Sequence, residues 1–113
     1  MAVIIDVSAL PASETAYRFE GVRYGAVPLS FFLVETPPGG GPGLHAHPYA
    51  EIFVVQAGRG RFTVGEEQIE VGVGQIAIAP AHVPHAFISL GPGPLRLVAM
   101  QPTPAMETTW LTE

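Results

Sequence analysis

Cysteine is missing from this chain, and with it any disulfide framework, thiol nucleophile or cysteine-ligated metal site. That absence fits a reducing compartment. Lysine and asparagine are absent too, which excludes Schiff-base chemistry on lysine and any acceptor for N-glycosylation. Asp6 is the single aspartate and lies far in sequence from every histidine, so a Ser-His-Asp triad has little to draw on. Basic residues are few, and the formal net charge of −5 argues against nucleic acid or an anionic membrane surface as a partner. No apolar run is long enough to span a bilayer. The N-terminal MAVIIDVSAL has no basic flank and is broken by Asp6, so it reads as a strand and not as a signal peptide. A cytoplasmic location is the expectation.

What is abundant is punctuation. The 113 residues include 13 glycines and 12 prolines, spaced between short β-rich runs in the manner of an all-β sandwich or barrel. A chain of this length accommodates one domain, 1–113, with a modest core. Strands are expected over Met1–Val7, Ala16–Tyr24 with an interruption at Gly21, Val27–Thr36, Glu51–Ala57, Arg61–Val64, Gln68–Val71, Gln75–Ala79, His85–Leu90 and Leu95–Gln101. Pro37–Gly43 is too rich in breakers to pair regularly and reads as a loop. The tail, Pro102–Glu113, carries Trp110 and needs a docking place to be ordered.

The four histidines fall in two glycine-anchored stretches. In the first, Gly39–Gly58, His45 and His47 alternate along a short strand, which points both rings to one face about 7 Å apart. Glu51 follows at the head of the run Glu-Ile-Phe-Val-Val. In the second, a turn from Pro80 to Pro84 delivers His85 to the start of another apolar run. Imidazole and carboxylate donors that leave coordination positions open suit a catalytic divalent transition metal better than a closed structural zinc site.

These two stretches resemble the paired motifs of the cupin family. Gly39, His45, His47, Glu51 and Gly58 meet the first motif in full, and Gly74, Pro80 and His85 meet the second. The second departs from the family pattern at His82, where glycine is usual, and at Ser89, where asparagine is usual. The resemblance spans most of the chain and implies a jelly-roll β-barrel. It also implies a metal centre of His45, His47, Glu51 and His85. The metal is Fe, Mn, Ni, Zn or Cu, since availability matters as much as ligand type in choosing among them.

Period-two parity adds detail. If Glu51 faces inward, so do Phe53 and Val55, and if His85 does, so do Phe87 and Ser89; these four are the expected pocket walls. The opposite parity, Ile52 and Val54 on one strand and Ala86, Ile88 and Leu90 on the other, is apolar as well and needs a cover. A second subunit or a swapped N-terminal strand supplies it in a homodimer, and Met1–Val7 of the same chain is the alternative. His82 is either a plain turn residue or an acid-base group at the barrel mouth; Tyr49 either orients substrate at the rim or packs its ring on the loop. The resulting functional expectation is a metal-dependent enzyme on a small organic molecule. Dioxygenase-type chemistry stands ahead of isomerase or lyase chemistry, a non-catalytic ligand- or metal-binding module is the second reading, and a structural dimeric barrel the third.

Overall fold

A computed structural model describes residues 1–111. Its strands are β1 (Ala16–Glu20), β2 (Ser30–Thr36), β3 (His45–Ala46), β4 (Glu51–Ala57), β5 (Arg59–Val64), β6 (Glu67–Gly72), β7 (Ile76–Ala79), β8 (His85–Ser89), β9 (Leu95–Gln101) and β10 (Thr109–Trp110). They form two antiparallel five-stranded sheets, ordered β1-β2-β9-β4-β7 and β10-β3-β8-β5-β6. This is the all-β, double-sheet jelly roll expected for cupins.

Two glycines show how the chain passes between sheets. At Gly58, φ is +74° and an added Cβ would lie 2.4 Å from the Pro94 carbonyl oxygen, so only glycine turns β4 into β5 there. At Gly41 an added Cβ would meet the Phe87 carbonyl oxygen at 1.9 Å. The breaker-rich loop therefore lies directly on β8, beside the metal-ligand strand it feeds.

The alternation read from sequence places the core. Phe53 and Val55 of β4, Phe62 of β5, Phe87 of β8 and Leu95, Leu97 and Ala99 of β9 all point between the sheets and are buried. The Phe53 and Phe62 rings meet edge to face at 5.2 Å, and Phe62 stacks on Phe87 at 5.2 Å. Ser89 is buried at the far end of β8, and its Oγ finds no hydrogen-bond partner among the described residues. A buried hydroxyl left unpaired costs about 1–3 kcal/mol. Ser89→Ala is therefore expected to raise stability by about 1 kcal/mol, read as a higher urea midpoint at unchanged slope.

Four sequence expectations need correction. Residues 1–6 form no ladder: their apolar run has no partner strand among the described residues, and only a short 3-10 turn follows at Val7–Ala9. The strand from Ala16 stops at Glu20, because Gly21 begins a 3-10 turn through Tyr24 and packs under the Val27 carbonyl. Val27–Leu29 is consequently held off the ladder, with Val27 N–H donating to the Gly21 carbonyl at 3.1 Å, and β2 starts at Ser30. The histidine strand is only two residues long, His45–Ala46, with Pro48 close behind to end it. The tail does dock, as its tryptophan required: Trp110 pairs with His45, and Leu111 N–H donates to the Leu44 carbonyl at 2.9 Å.

The outer face of the β1-β2-β9-β4-β7 sheet is apolar from edge to edge. Tyr17, Leu33, Val98, Val54 and Ile76 stand in one cross-strand row, and Phe19, Phe31, Met100, Ile52 and Ile78 in the next. Ile76 and Ile78 are 63% and 59% exposed. The expectation that Ile88 shares this surface is corrected too. Ile88 lies on the outside of the other sheet, in register with Arg61 and then Glu70, where charge breaks the apolar surface.

Candidate metal centre

Three elements converge at one end of the barrel. β3 presents His45, the residue after its end presents His47, the first residue of β4 is Glu51 and the first of β8 is His85. His45 and His85 face each other across the β3–β8 pair. All four side chains are buried, and one ligand atom from each lies within 4.8 Å of the others. Glu51 Oε1 sits 3.1 Å from His47 Nε2 and 2.9 Å from His85 Nε2.

The backbone fixes which ring nitrogens face the centre. His45, His47 and His85 each direct Nδ1 at a carbonyl oxygen, of Gly43 at 2.7 Å, Glu107 at 2.9 Å and Val83 at 3.0 Å. A carbonyl only accepts, so Nδ1 is the protonated nitrogen in all three. Each neutral ring then aims an Nε2 lone pair inward, where the Glu51 carboxylate adds more. Acceptors facing acceptors in a buried space are satisfied by a cation, and three imidazoles with one carboxylate fit a divalent transition metal.

Protons otherwise take the ion's place. Burial lowers His47, but the Glu51 bond and the Glu107 carbonyl outweigh it, and its pKa rises above 6.5. Burial, joined by the neighbouring His85, takes His45 below 6.5. Burial pushes Glu51 up, yet its bonds from His47, His85 and Gln101 hold it at about 2. Metal must therefore displace a proton from His47, while Glu51 is already ionised. Apparent metal affinity is expected to climb as pH rises through the raised His47 value and to level off above it. In metal-free protein the His47 shift stabilises the fold below 6.5, a contribution lost as pH rises through the raised value. The gap in Tm between metal-loaded and metal-free protein accordingly widens with pH, which thermal melts on both sides of that value measure.

The centre opens onto a cavity of about 330 Å³. Its wall includes His45, His47, Glu51, Phe53 and Phe87, with Phe32, Val34 and Ala99 from the sheet and Thr108 and Trp110 from the tail. Phe53 and Phe87 thus stand where parity put them, whereas Val55 and Ser89 are buried without lining the cavity. Tyr49 and His82 do not line it either. The Tyr49 ring stacks on His47 at 5.2 Å, and its hydroxyl donates to Gln101 Oε1 while accepting from Glu107 N–H at 2.9 Å. Burial raises the Tyr49 pKa, so this hydroxyl keeps its proton. His82 is an exposed turn residue with φ +67°, and its N–H donates to the His47 carbonyl at 2.7 Å.

Gln101 is the participant that sequence reasoning missed. It is 1% exposed, and its Nε2 donates to Glu51 Oε2 at 2.9 Å. The tail is the other: Glu107 orients His47, and the Trp110 ring lies 4.7 Å from that of His45.

A small antiparallel jelly roll with a buried three-histidine, one-glutamate centre defines the class. The family model described as "Cupin domain" matches residues 32–101, and the chain belongs to the cupin family. No curated protein matches the sequence significantly. Among solved structures, oxalate decarboxylase of Bacillus subtilis superposes with a TM-score of 0.78 at 20% identity, over 90% of this chain and 29% of that one. Another structure of that enzyme, with Mn(II) centres, superposes with a TM-score of 0.82 at 21% identity, over 92% of this chain and 30% of that one. The chain thus spans less than a third of the length of these structures. No helix among the described residues is long and apolar enough to cross a membrane.

Proposed function

We propose that this cupin is a metal-dependent enzyme acting on a small, largely apolar organic molecule, with dioxygenase-type chemistry ahead of isomerase or lyase chemistry. The observation that carries the reading is the position of the donor set, buried at the wall of a largely apolar cavity. A divalent ion held by His45, His47, Glu51 and His85 supplies Lewis-acid or redox character with positions left for a substrate oxygen. Phe32, Val34, Phe53 and Phe87 enclose the substrate and keep water away.

The lining supports the order of preference. Beyond the ligands it holds hydroxyls and one amide, of Ser13, Thr15, Thr36, Thr108 and Gln101, and no further acid or base. Isomerisation and decarboxylation call for a proton donor or acceptor beside the substrate, whereas oxygenation of a coordinated substrate asks less of the protein. No arginine lines the wall, so a dianion such as oxalate has no counter-charge beyond the metal. The same poverty of catalytic groups favours the second reading, a non-catalytic binding module. Metal analysis after purification without chelator, then oxygen uptake with catechols, flavonols and diketones, separates them. Turnover supports the enzyme, a loaded site without turnover the binder, and no metal uptake a purely structural barrel.

The protein is proposed to act as one domain over 1–113, in the cytoplasm in keeping with its lack of cysteine, and as a homodimer. The dimer rests on the apolar outer sheet face. Residues 1–7 of the same chain do not shield themselves on it, since Val3 and Ile4 remain 75% and 87% exposed.

A further inference from the structure

The geometry points to Gln101 as the positioning residue that restricts Glu51 to one oxygen at the metal, and so keeps open the coordination positions the substrate needs. This inference rests on the metal-centre reading above.

The two Glu51 oxygens have different partners. Oε1 faces His47 and His85, inside the donor set, while Oε2 accepts from Gln101 Nε2. The direction of that bond is forced, because an ionised carboxylate only accepts and the Gln101 amide must present its NH2 to it. Gln101 Oε1 is then left to accept, and Tyr49 is the donor. Tyr49 in turn accepts from Glu107 N–H, and the Glu107 carbonyl takes the Nδ1 proton of His47, which leaves the His47 Nε2 lone pair facing the donor set. A chain of directed hydrogen bonds thus ties two ligands, Glu51 and His47, to the tail. Every member has one orientation that satisfies all the others.

The consequence concerns denticity. A carboxylate with both oxygens free can chelate a divalent ion; one whose second oxygen is engaged by a buried amide offers a single donor atom. With three imidazoles and one carboxylate oxygen, a six-coordinate ion keeps two positions for a bidentate substrate. A chelating Glu51 would leave one.

Gln101→Leu removes the amide at similar size, and Tyr49→Phe removes the hydroxyl while keeping the ring on His47. Both are to be loaded with Co(II) and titrated with acetylacetone, a bidentate probe, following the visible absorption of the metal. For Gln101→Leu the expected result is Co(II) affinity lower by about 10- to 100-fold, an altered Co(II) spectrum and probe affinity down at least about tenfold. Tyr49→Phe is expected to move spectrum and probe affinity in the same direction by a smaller factor. A merely structural glutamine would lower Tm and leave the loaded spectrum and probe affinity at wild-type values, which overturns the proposal. Should Gln101→Leu fail to fold, unchanged behaviour of Tyr49→Phe overturns it equally. Failure of the wild-type protein to take up Co(II) is a separate outcome, and it removes the metal-centre reading together with this one.

Discussion

Metal affinity of His85→Ala falls by on the order of a hundredfold or more, while His82→Gly in the same turn retains it. The magnitude follows from sharing the roughly 10–16 kcal/mol of a four-ligand protein site among its donors, at 1.4 kcal/mol per factor of ten. The contrast follows from position. His85 is 2% exposed, its Nε2 lies 2.9 Å from Glu51 Oε1, and its Nδ1 is held by the Val83 carbonyl. His82 is exposed, and only its backbone N–H takes part, donating to the His47 carbonyl. At φ +67° a glycine there relieves backbone strain and keeps that N–H. Calorimetric titration of both variants with Zn(II) or Co(II) measures the difference. Equal losses would mean that the turn as a whole, and not the His85 ring, governs the centre.

The pair also shows what could be read from sequence alone. His45, His47, Glu51 and His85 were legible because a metal motif is local: strand alternation and a fixed turn length set the ligand geometry within two short stretches. Phe53 and Phe87 followed from parity with Glu51 and His85. Parity gives the side of a sheet and not the depth, so Val55 and Ser89 were placed inward correctly and still lie away from the cavity. Gln101 was silent for another reason. It closes an apolar strand in the inward register of Leu95, Leu97 and Ala99, and its partner Glu51 is 50 positions away, a pairing no local pattern announces. Trp110 had to dock somewhere, but only the β10–β3 ladder says that it lies beside His45. Residues 1–6 were misread because a short apolar, β-branched run reports that a segment can pair and cannot say with what.

The unanswered partner of that segment bears on the second large effect, which is quaternary. Val54→Glu is expected to convert the proposed homodimer into monomers. Val54 stands in the middle of β4 with Val98 on one side and Ile76 on the other, the centre of a row that runs across all five strands. An isologous two-fold interface on this face buries the substitution twice, once from each copy. Burying an unpaired carboxylate costs about 3–5 kcal/mol, and even a total of about 4 kcal/mol weakens Kd roughly a thousandfold. Ile88→Glu is the matched control, since Ile88 lies on the outside of the opposite sheet beside Arg61 and is already 48% exposed. Sedimentation at micromolar concentration distinguishes the two, and retained Co(II) binding in Val54→Glu shows that the barrel remains folded. A wild-type protein that sediments as a monomer, or a dimer split by Ile88→Glu and not by Val54→Glu, would move the interface off this sheet. Removing residues 1–6 then asks whether the exposed arm crosses to the partner: a dimer weakened by the deletion assigns it that role, and an unchanged one confines the contact to the two apolar rows.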